Sequence, residues 1–259
     1  MRRVLVVHAH PDDEVFATAA ATISLGDEGA HIELRIATGG EAGELATTPG
    51  RSEPDARVAR ERRLTRSCRL LGISAWDYLT RPGEWVDARS ATDARTAANA
   101  DRTYLAAAIR QAVNEVKPEL LLTVGSDGLT GHSDHLAMHD AARRALKLPG
   151  WQPSRAWGAR LHRADIRAGH QLLGRHLGGQ GVGSGRVQGA DDGTVLHLVE
   201  CTPEGADRRR DALDCYSPGL GTAALDGFLA NYPGRGDSLL LRATFDATTW
   251  RRDYYEDLQ

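Results

Sequence analysis

The N-terminal segment limits what this chain can become more than any other part of it. Val4 to Val7 make a short continuous apolar run between Arg3 and His8, the pattern of a parallel strand buried on both faces. The polar sequence PDDE follows. It leads into VFATAAATISLGDEG, an alanine-rich stretch expected to be one helix that stops at Gly26 or Gly29. In HIELRIAT the apolar residues Ile32, Leu34 and Ile36 alternate with polar ones, so a second strand is expected there. Strand, helix and strand at this spacing form a βαβ crossover, which requires a parallel sheet with helices packed on it.

Further along, GGEAGELATTPG reads as a loop and residues 54–71 as a helix with Val58, Leu64, Cys68 and Leu71 on a rough stripe. Residues 73–79 suit a strand. Residues 101–116 suit a helix with Leu105, Ile109, Ala112 and Val116 on one face, ended by Pro118. ELLLTVGSD is then a fourth buried strand, and GLTGHSDH a loop at its C-terminal end. After Trp151, RAWGARLHRAD, TVLHLVEC and SLLLRATF read as strands and TPEGADRRRDALDCYSP as a helix. The glycine-rich stretch from Gly178 to Gly193 reads as a surface loop, with a mobile lid as the sharper alternative. The organisation expected is a core over 1–150, with 151–259 completing the same domain and shaping its pocket.

Composition narrows the function classes. The 259 residues carry a formal net charge of −3, which gives no electrostatic case for nucleic acid or an anionic membrane. The three cysteines lack CxxC spacing and read as reduced thiols. The apolar run after Arg2 and Arg3 is too short for a signal peptide. No stretch approaches the roughly 18 apolar residues of a membrane span. A soluble cytoplasmic protein is therefore expected, of unstated oligomeric state.

Ligands of parallel α/β sheets bind at the C-terminal ends of strands. Two polar clusters stand at such ends: His10-Pro11-Asp12-Asp13-Glu14 after the first strand and His132-Ser133-Asp134-His135 after the fourth. Imidazole and carboxylate together suit zinc or another divalent first-row ion, and two histidines with one carboxylate leave positions open for water and substrate. A free carboxylate beside such an ion can take a proton, and a histidine opposite can serve the oxyanion or the leaving amine. Each residue also has a plain reading. Asp12 and Asp13 can cap a helix, and His132 or His135 can be a hydrogen-bonded loop histidine. The coincidence of both clusters at matching strand ends favours the metal site.

HAHPDDE, TGGEAGE and GHSDH together resemble the LmbE-like family, also called PIG-L, a group of N-acetylglucosaminyl deacetylases that includes mycothiol-pathway enzymes. The resemblance covers about residues 1–140, with a weaker echo at DRRRDALDCYS. It implies a Rossmann-like fold, a mostly parallel sheet with helices on both faces and a smaller C-terminal elaboration. It implies a mononuclear zinc site, sometimes holding iron, with His10, Asp13 and His135 as ligands and Asp12 as general base. His132 would stabilise the oxyanion or act as acid, and Asp134 would orient His132 or a ligand. Glu41 and Glu44 match acidic positions near the substrate. Ser133 departs from the family's proline, and Thr130 stands where mycothiol-type members carry tyrosine, against a close identity with them.

The function implied is metal-dependent removal of an N-acyl group from a small amino sugar. Amidase action on a thiol conjugate and a non-catalytic metal-binding relative remain as alternatives. Two features stand outside this reading. Arg57, Arg60, Arg62, Arg63, Arg66 and Arg69 suggest a solvated helix face, or else an anion-binding patch. One of the five tryptophans could stack on a sugar ring.

Overall fold

The computed structural model describes residues 2–43, 52–88, 92–178, 182–231, 234 and 236–258. Strand β1 (Arg3–His8) is followed by two short helices, α1 (Asp13–Ala17) and α2 (Ala19–Asp27), then by β2 (His31–Ile36). The single helix expected here is broken at Thr18, whose φ of −134° lies outside the helical range. Its hydroxyl sits 3.1 Å from His8 Nε2 and 3.5 Å from the Glu14 carbonyl. A side chain that competes for local backbone groups in this way disfavours continuous helix. Next come α3 (Glu53–Leu70), β3 (Ala75–Tyr78), α4 (Arg102–Val116) and β4 (Leu120–Val124). Ser52 caps α3 and Asp101 caps α4, each side chain accepting from first-turn amides.

After β4 the chain forms α5 (Gly128–Gly131), α6 (Ser133–Lys147), β5 (Arg155–Arg160) and α7 (Arg163–Leu177). It finishes with β6 (His197–Glu200), α8 (Pro203–Asp214), α9 (Leu225–Asn231), α10 (Asp237–Ala247) and β7 (Arg252–Asp257). The fold class expected from the sequence is found: among the described residues seven strands form one sheet in the order β3-β2-β1-β4-β5-β7-β6. Strands β1 to β5 pair in parallel, whereas β7 runs antiparallel to β5 and β6 antiparallel to β7. The described strands after residue 150 therefore extend the same sheet rather than building a second one.

Burial follows the pattern of the sequence. Every residue of β1 after Arg3 is buried, as its central place requires, and β2 alternates buried with half-buried residues. Three expectations need correction. SLLLRATF is helical within α10, not a strand; Ser238 to Phe245 are all buried, so the run shows no helical period. The last strand is instead the polar RDYYED of β7. GLTGHSDH is not a loop but α5 and the first turn of α6. In the glycine-rich stretch, Val182, Val187 and Ala190 are buried and Ser184 donates to Asp237 from both its amide and its hydroxyl (2.7 and 2.9 Å).

Candidate active site

In the order β3-β2-β1-β4-β5 the direction of winding reverses between β1 and β4, so their C-terminal ends diverge around a crevice. Both polar clusters open into it. His10 leaves β1 two residues beyond its end, and its amide donates to Asp13 Oδ2 at 2.9 Å. Opposite, His132 caps α6, its Nδ1 accepting from the Asp134 amide at 3.3 Å, while His135 lies within that helix.

Hydrogen bonding settles which ring nitrogens face the centre. His135 Nδ1 lies 2.9 Å from the Gly128 carbonyl, which can only accept, so the proton sits on Nδ1 and the Nε2 lone pair is free. His10 Nε2 lies 3.1 Å from Asp134 Oδ2, which leaves its Nδ1 lone pair free. These two free nitrogens are 3.1 Å apart. Asp13 Oδ1 is 3.0 Å from His135 Nε2, and Asp13 Oδ2 is 3.8 Å from His10 Nδ1. Tetrahedral ligands bonded at about 2.0–2.1 Å stand roughly 3.3 Å apart, so these donors have the spacing of a shared divalent cation. His10, His132 and His135 also bring ligand atoms within 4.8 Å of one another, as do His10, Asp87 and Asp134. Proximity alone thus makes His132 an alternative to Asp13.

Asp12 stands beside this centre in a left-handed backbone conformation (φ 98°). Its Oδ2 accepts from Arg60 Nη2 at 2.8 Å, and Arg60 also donates to the Pro11 carbonyl. Burial pushes the Asp12 carboxyl up to about 6, against the opposing pull of Arg60. Burial acts the same way on Asp13, but His135, then His10, in their protonated forms hold it well below the usual carboxylate range. Against burial, the nearby carboxylates raise both rings, His10 to about 10, and a bound cation would take the place of those protons. Burial, then the neighbouring His10 and His135, lower His132 to about 4, so it is neutral near pH 7. Burial also raises Glu14 to about 7, despite hydrogen bonds from Ser67 and Tyr216 that favour its charged form.

A cavity of about 270 Å³ lies over these groups. Asp12, Arg60, Asp87 and His132 line its polar side, and Phe16, Leu129 and Leu241 its apolar side. Arg60 and Asp87 were not singled out as site residues. Arg60 is 1% exposed, so the solvated-face reading fails for it, while Arg62, Arg66 and Arg69 on the same helix are exposed. The available signal was the double glycine of TGGEAGE. A Cβ on Gly40, whose φ is +65°, would lie 2.5 Å from Arg60 Nε, so the guanidinium passes where only glycine leaves room.

Glu41 is nearly buried, accepting from the Asp87 amide at 3.0 Å and pairing with Arg57 at 3.7 Å. Glu44 lies outside the described residues. No tryptophan lines this cavity among the described residues, and Trp85 and Trp250 are core.

Strand ends at a switch point thus carry clustered imidazole and carboxylate donors able to hold a metal ion, with a further carboxylate, paired to Arg60, beside them. The chain belongs to the PIG-L family, described as GlcNAc-PI de-N-acetylase, with residues 5–146 matched. It is 36% identical over 173 residues to a 1D-myo-inositol 2-acetamido-2-deoxy-α-D-glucopyranoside deacetylase of Kineococcus radiotolerans, covering 61% of this chain and 48% of that protein. A deacetylase of the same name from Thermobifida fusca is 30% identical over 253 residues, covering 89% and 87%. The match to several such relatives spans only about half to two thirds of their length. Two solved structures share the fold. N,N′-diacetylchitobiose deacetylase from Pyrococcus horikoshii has a TM-score of 0.62 at 14% identity, covering 99% of this chain and 83% of that one. The hydratase GalB from Pseudomonas putida has a TM-score of 0.59 at 17% identity, covering 99% and 96%. A hydratase on the same fold means that the architecture alone does not choose the reaction.

Proposed function

We propose that this protein is a divalent-metal-dependent hydrolase that removes the N-acetyl group from a glucosamine-containing small molecule. The observation that carries this reading is the meeting of the free His10, His135 and Asp13 donors with Asp12 alongside but outside their cluster. His10, Asp13 and His135 would hold the ion. Zinc suits two imidazoles and a carboxylate best, with ferrous iron as the alternative. When bound, such an ion supplies Lewis acidity, acidifying water and polarising an amide oxygen.

The chain's own groups divide the remaining work. Asp12 accepts the proton of the attacking water; burial has tuned its basicity toward neutral pH, where a general base works best. His132 takes its Nδ1 hydrogen bond from the Asp134 amide, so its remaining proton is on Nε2, a neutral hydrogen-bond donor for the developing oxyanion, while the leaving amine takes the proton that Asp12 accepted from the water. Asp134 acts one step back. It holds His10 through Oδ2 and is itself held by the Ala98 amide on Oδ1 at 2.7 Å. Arg60 retains buried donors at Nε and Nη1 with no partner among the described residues, and Asp87 lies beside it on the cavity wall. We assign Asp87 to the sugar hydroxyls, with Glu41 supporting its backbone, while the buried Arg60 holds Asp12.

Thr130 lines the cavity in place of a phenol, which leaves oxyanion stabilisation on the protein side to His132. The proposed compartment is the cytoplasm, in keeping with three free cysteines; no described helix is long and apolar enough to cross a membrane. The deciding experiment is metal analysis of the purified protein with mass-spectrometric scoring of acetyl loss from acetamido-glucopyranosyl conjugates, including the inositol glycoside. Chelation should abolish turnover and zinc should restore it. One metal per chain with no acetyl loss from any of these sugars would defeat the reading.

A further inference from the structure

Asp12 has an unusual backbone for a residue with a side chain. A φ of 98° is a conformation that L-residues enter at an energetic cost and keep only where surrounding contacts impose it. Arg60 grips the Asp12 carboxylate and the Pro11 carbonyl. The group that holds the Asp12 amide itself is Glu14. Its Oε2 accepts from the Asp12 amide at 2.9 Å. Its Oε1 accepts from Ser67 Oγ and from Tyr216 OH, both at 2.6 Å. Glu14 and Tyr216 are wholly buried, so these bonds have no water to replace them.

The anchors come from different parts of the chain. Ser67 belongs to α3, while Tyr216 lies just beyond α8 and is separated from Glu14 by 202 positions. From α8 itself, Arg209 donates to the carbonyls of Val15 (2.9 Å) and Phe16 (3.1 Å), fixing the rest of the short helix on which Glu14 sits. We propose that Glu14, clamped by Ser67 and Tyr216, is a positioning residue that holds the Asp12 backbone in its left-handed conformation and thereby aims the Asp12 carboxylate. This rests on the reading of Asp12 as the base. Without the Glu14 acceptor the Asp12 amide loses its partner, and the turn relaxes toward ordinary helical values, carrying the carboxylate away from the water it serves.

The test is a double-mutant cycle on the metal-loaded enzyme, with the acetamido-glucopyranosyl inositol as substrate. A small displacement of a catalytic group costs up to about 100-fold, so Glu14→Ala should lower kcat by about 10- to 100-fold while KM and metal content stay near parental values. Glu14→Gln, whose amide oxygen can still accept from Asp12, should recover most of that loss. In an Asp12→Asn background Glu14→Ala should cost almost nothing further, because residues acting as a unit are not additive. An equal loss in both backgrounds would show a merely structural role and overturn the proposal. Tyr216→Phe, which keeps the ring and removes the donor, carries the same comparison if Glu14→Ala does not fold. Full activity of Asp12→Asn would remove the base reading and this proposal together. An inactive Asp12→Asn beside a fully active Glu14→Ala would remove this proposal alone.

Discussion

Residues up to Lys147 deliver every proposed metal ligand from two adjacent strand ends, whereas the residues beyond add three strands and four helices and bring no ligand among those described. Their contribution is mechanical. Arg209 and Tyr216 of the later half grip the first helix of the earlier half, and Asp237, Ser238 and Leu241 of α10 close one side of the cavity. Chemistry requires donors at a few fixed points, which a switch point between two strands provides cheaply. Holding those points against relaxation requires contacts from outside, and these come from sequence far away. The two halves should therefore fail differently when altered.

The largest effect is expected within the early half, where the paired carboxylates separate two roles. Asp12→Asn keeps the shape and the helix start but cannot accept a proton near neutral pH, so turnover should fall by about two to four powers of ten with metal content unchanged. Asp13→Asn removes a charged ligand and should lower metal occupancy along with activity. Zinc content and deacetylation measured side by side decide the matter; a metal-free Asp12→Asn with a metal-replete Asp13→Asn would reverse the two roles. Next in size is the later half. Arg209 is wholly buried, 3.1 Å from Asp253 and over the ring of Phe245 at 4.1 Å. Arg209→Met leaves a buried carboxylate alone and should cost about 3–5 kcal/mol in urea unfolding. A variant as stable as the parent would mean that α8 does not brace the site.

His132 tests the boundary between ligand and donor. Its ring centroid is 4.9 Å from that of His10 and 5.2 Å from that of His135, close enough for either role. As an oxyanion donor, His132→Ala should lower kcat by about two to three powers of ten while one metal per chain remains. Loss of metal together with activity would move His132 into the ligand set in place of Asp13.

The same division between halves governs how much could be read in advance. HPDDE and GHSDH are local patterns, and strand ends in a parallel sheet have a known destination, so His10, Asp12, Asp13, His132, Asp134 and His135 were legible together. Arg60 and Asp87 were not. One is an arginine among exposed arginines, and the other stands in an irregular polar stretch; apart from the double glycine that makes room for Arg60, only three-dimensional placement separates them from solvated residues. The later half misled for a different reason. Ser238 to Phe245 are buried on every side, so the run carries no 3.6-residue period to betray a helix, while β7 is polar enough to pass for a loop. The helix α7 likewise went unread, its apolar residues interrupted by Arg167, Gly169, His170 and Gly174.

The smallest effect expected is also the one that ties the strand to the site most directly. His8 ends β1, fully buried, and its Nε2 lies 3.1 Å from Thr18 Oγ1 at the break between α1 and α2. That hydroxyl is also 3.5 Å from the Glu14 carbonyl, so Thr18 donates there and accepts from His8 Nε2–H. Among the described residues His8 Nδ1 has no partner, and a proton added there would find no acceptor among them. Burial accordingly lowers the His8 pKa from 6.5 to about 4, with Asp13 opposing and His135 and His10 reinforcing the shift. Above pH 6.5 the residue is neutral in both folded and unfolded chains and contributes no pH dependence. As the pH falls below that, the unfolded chain takes up a proton that the folded chain refuses, and stability is lost until the folded pKa near 4 is reached. Between pH 8 and pH 5 this one group should cost about 2 kcal/mol. His8→Gln keeps an amide donor for Thr18 and cannot titrate. It should be somewhat less stable than the parent at pH 8 yet lose about 2 kcal/mol less on going to pH 5, as read by urea midpoints at the two pH values. Taking the difference between the two proteins cancels the carboxylates and metal ligands that titrate in both. Equal losses would show that His8 accepts its proton in the folded state, and that the junction of strand and catalytic helix is more open to water than its burial implies.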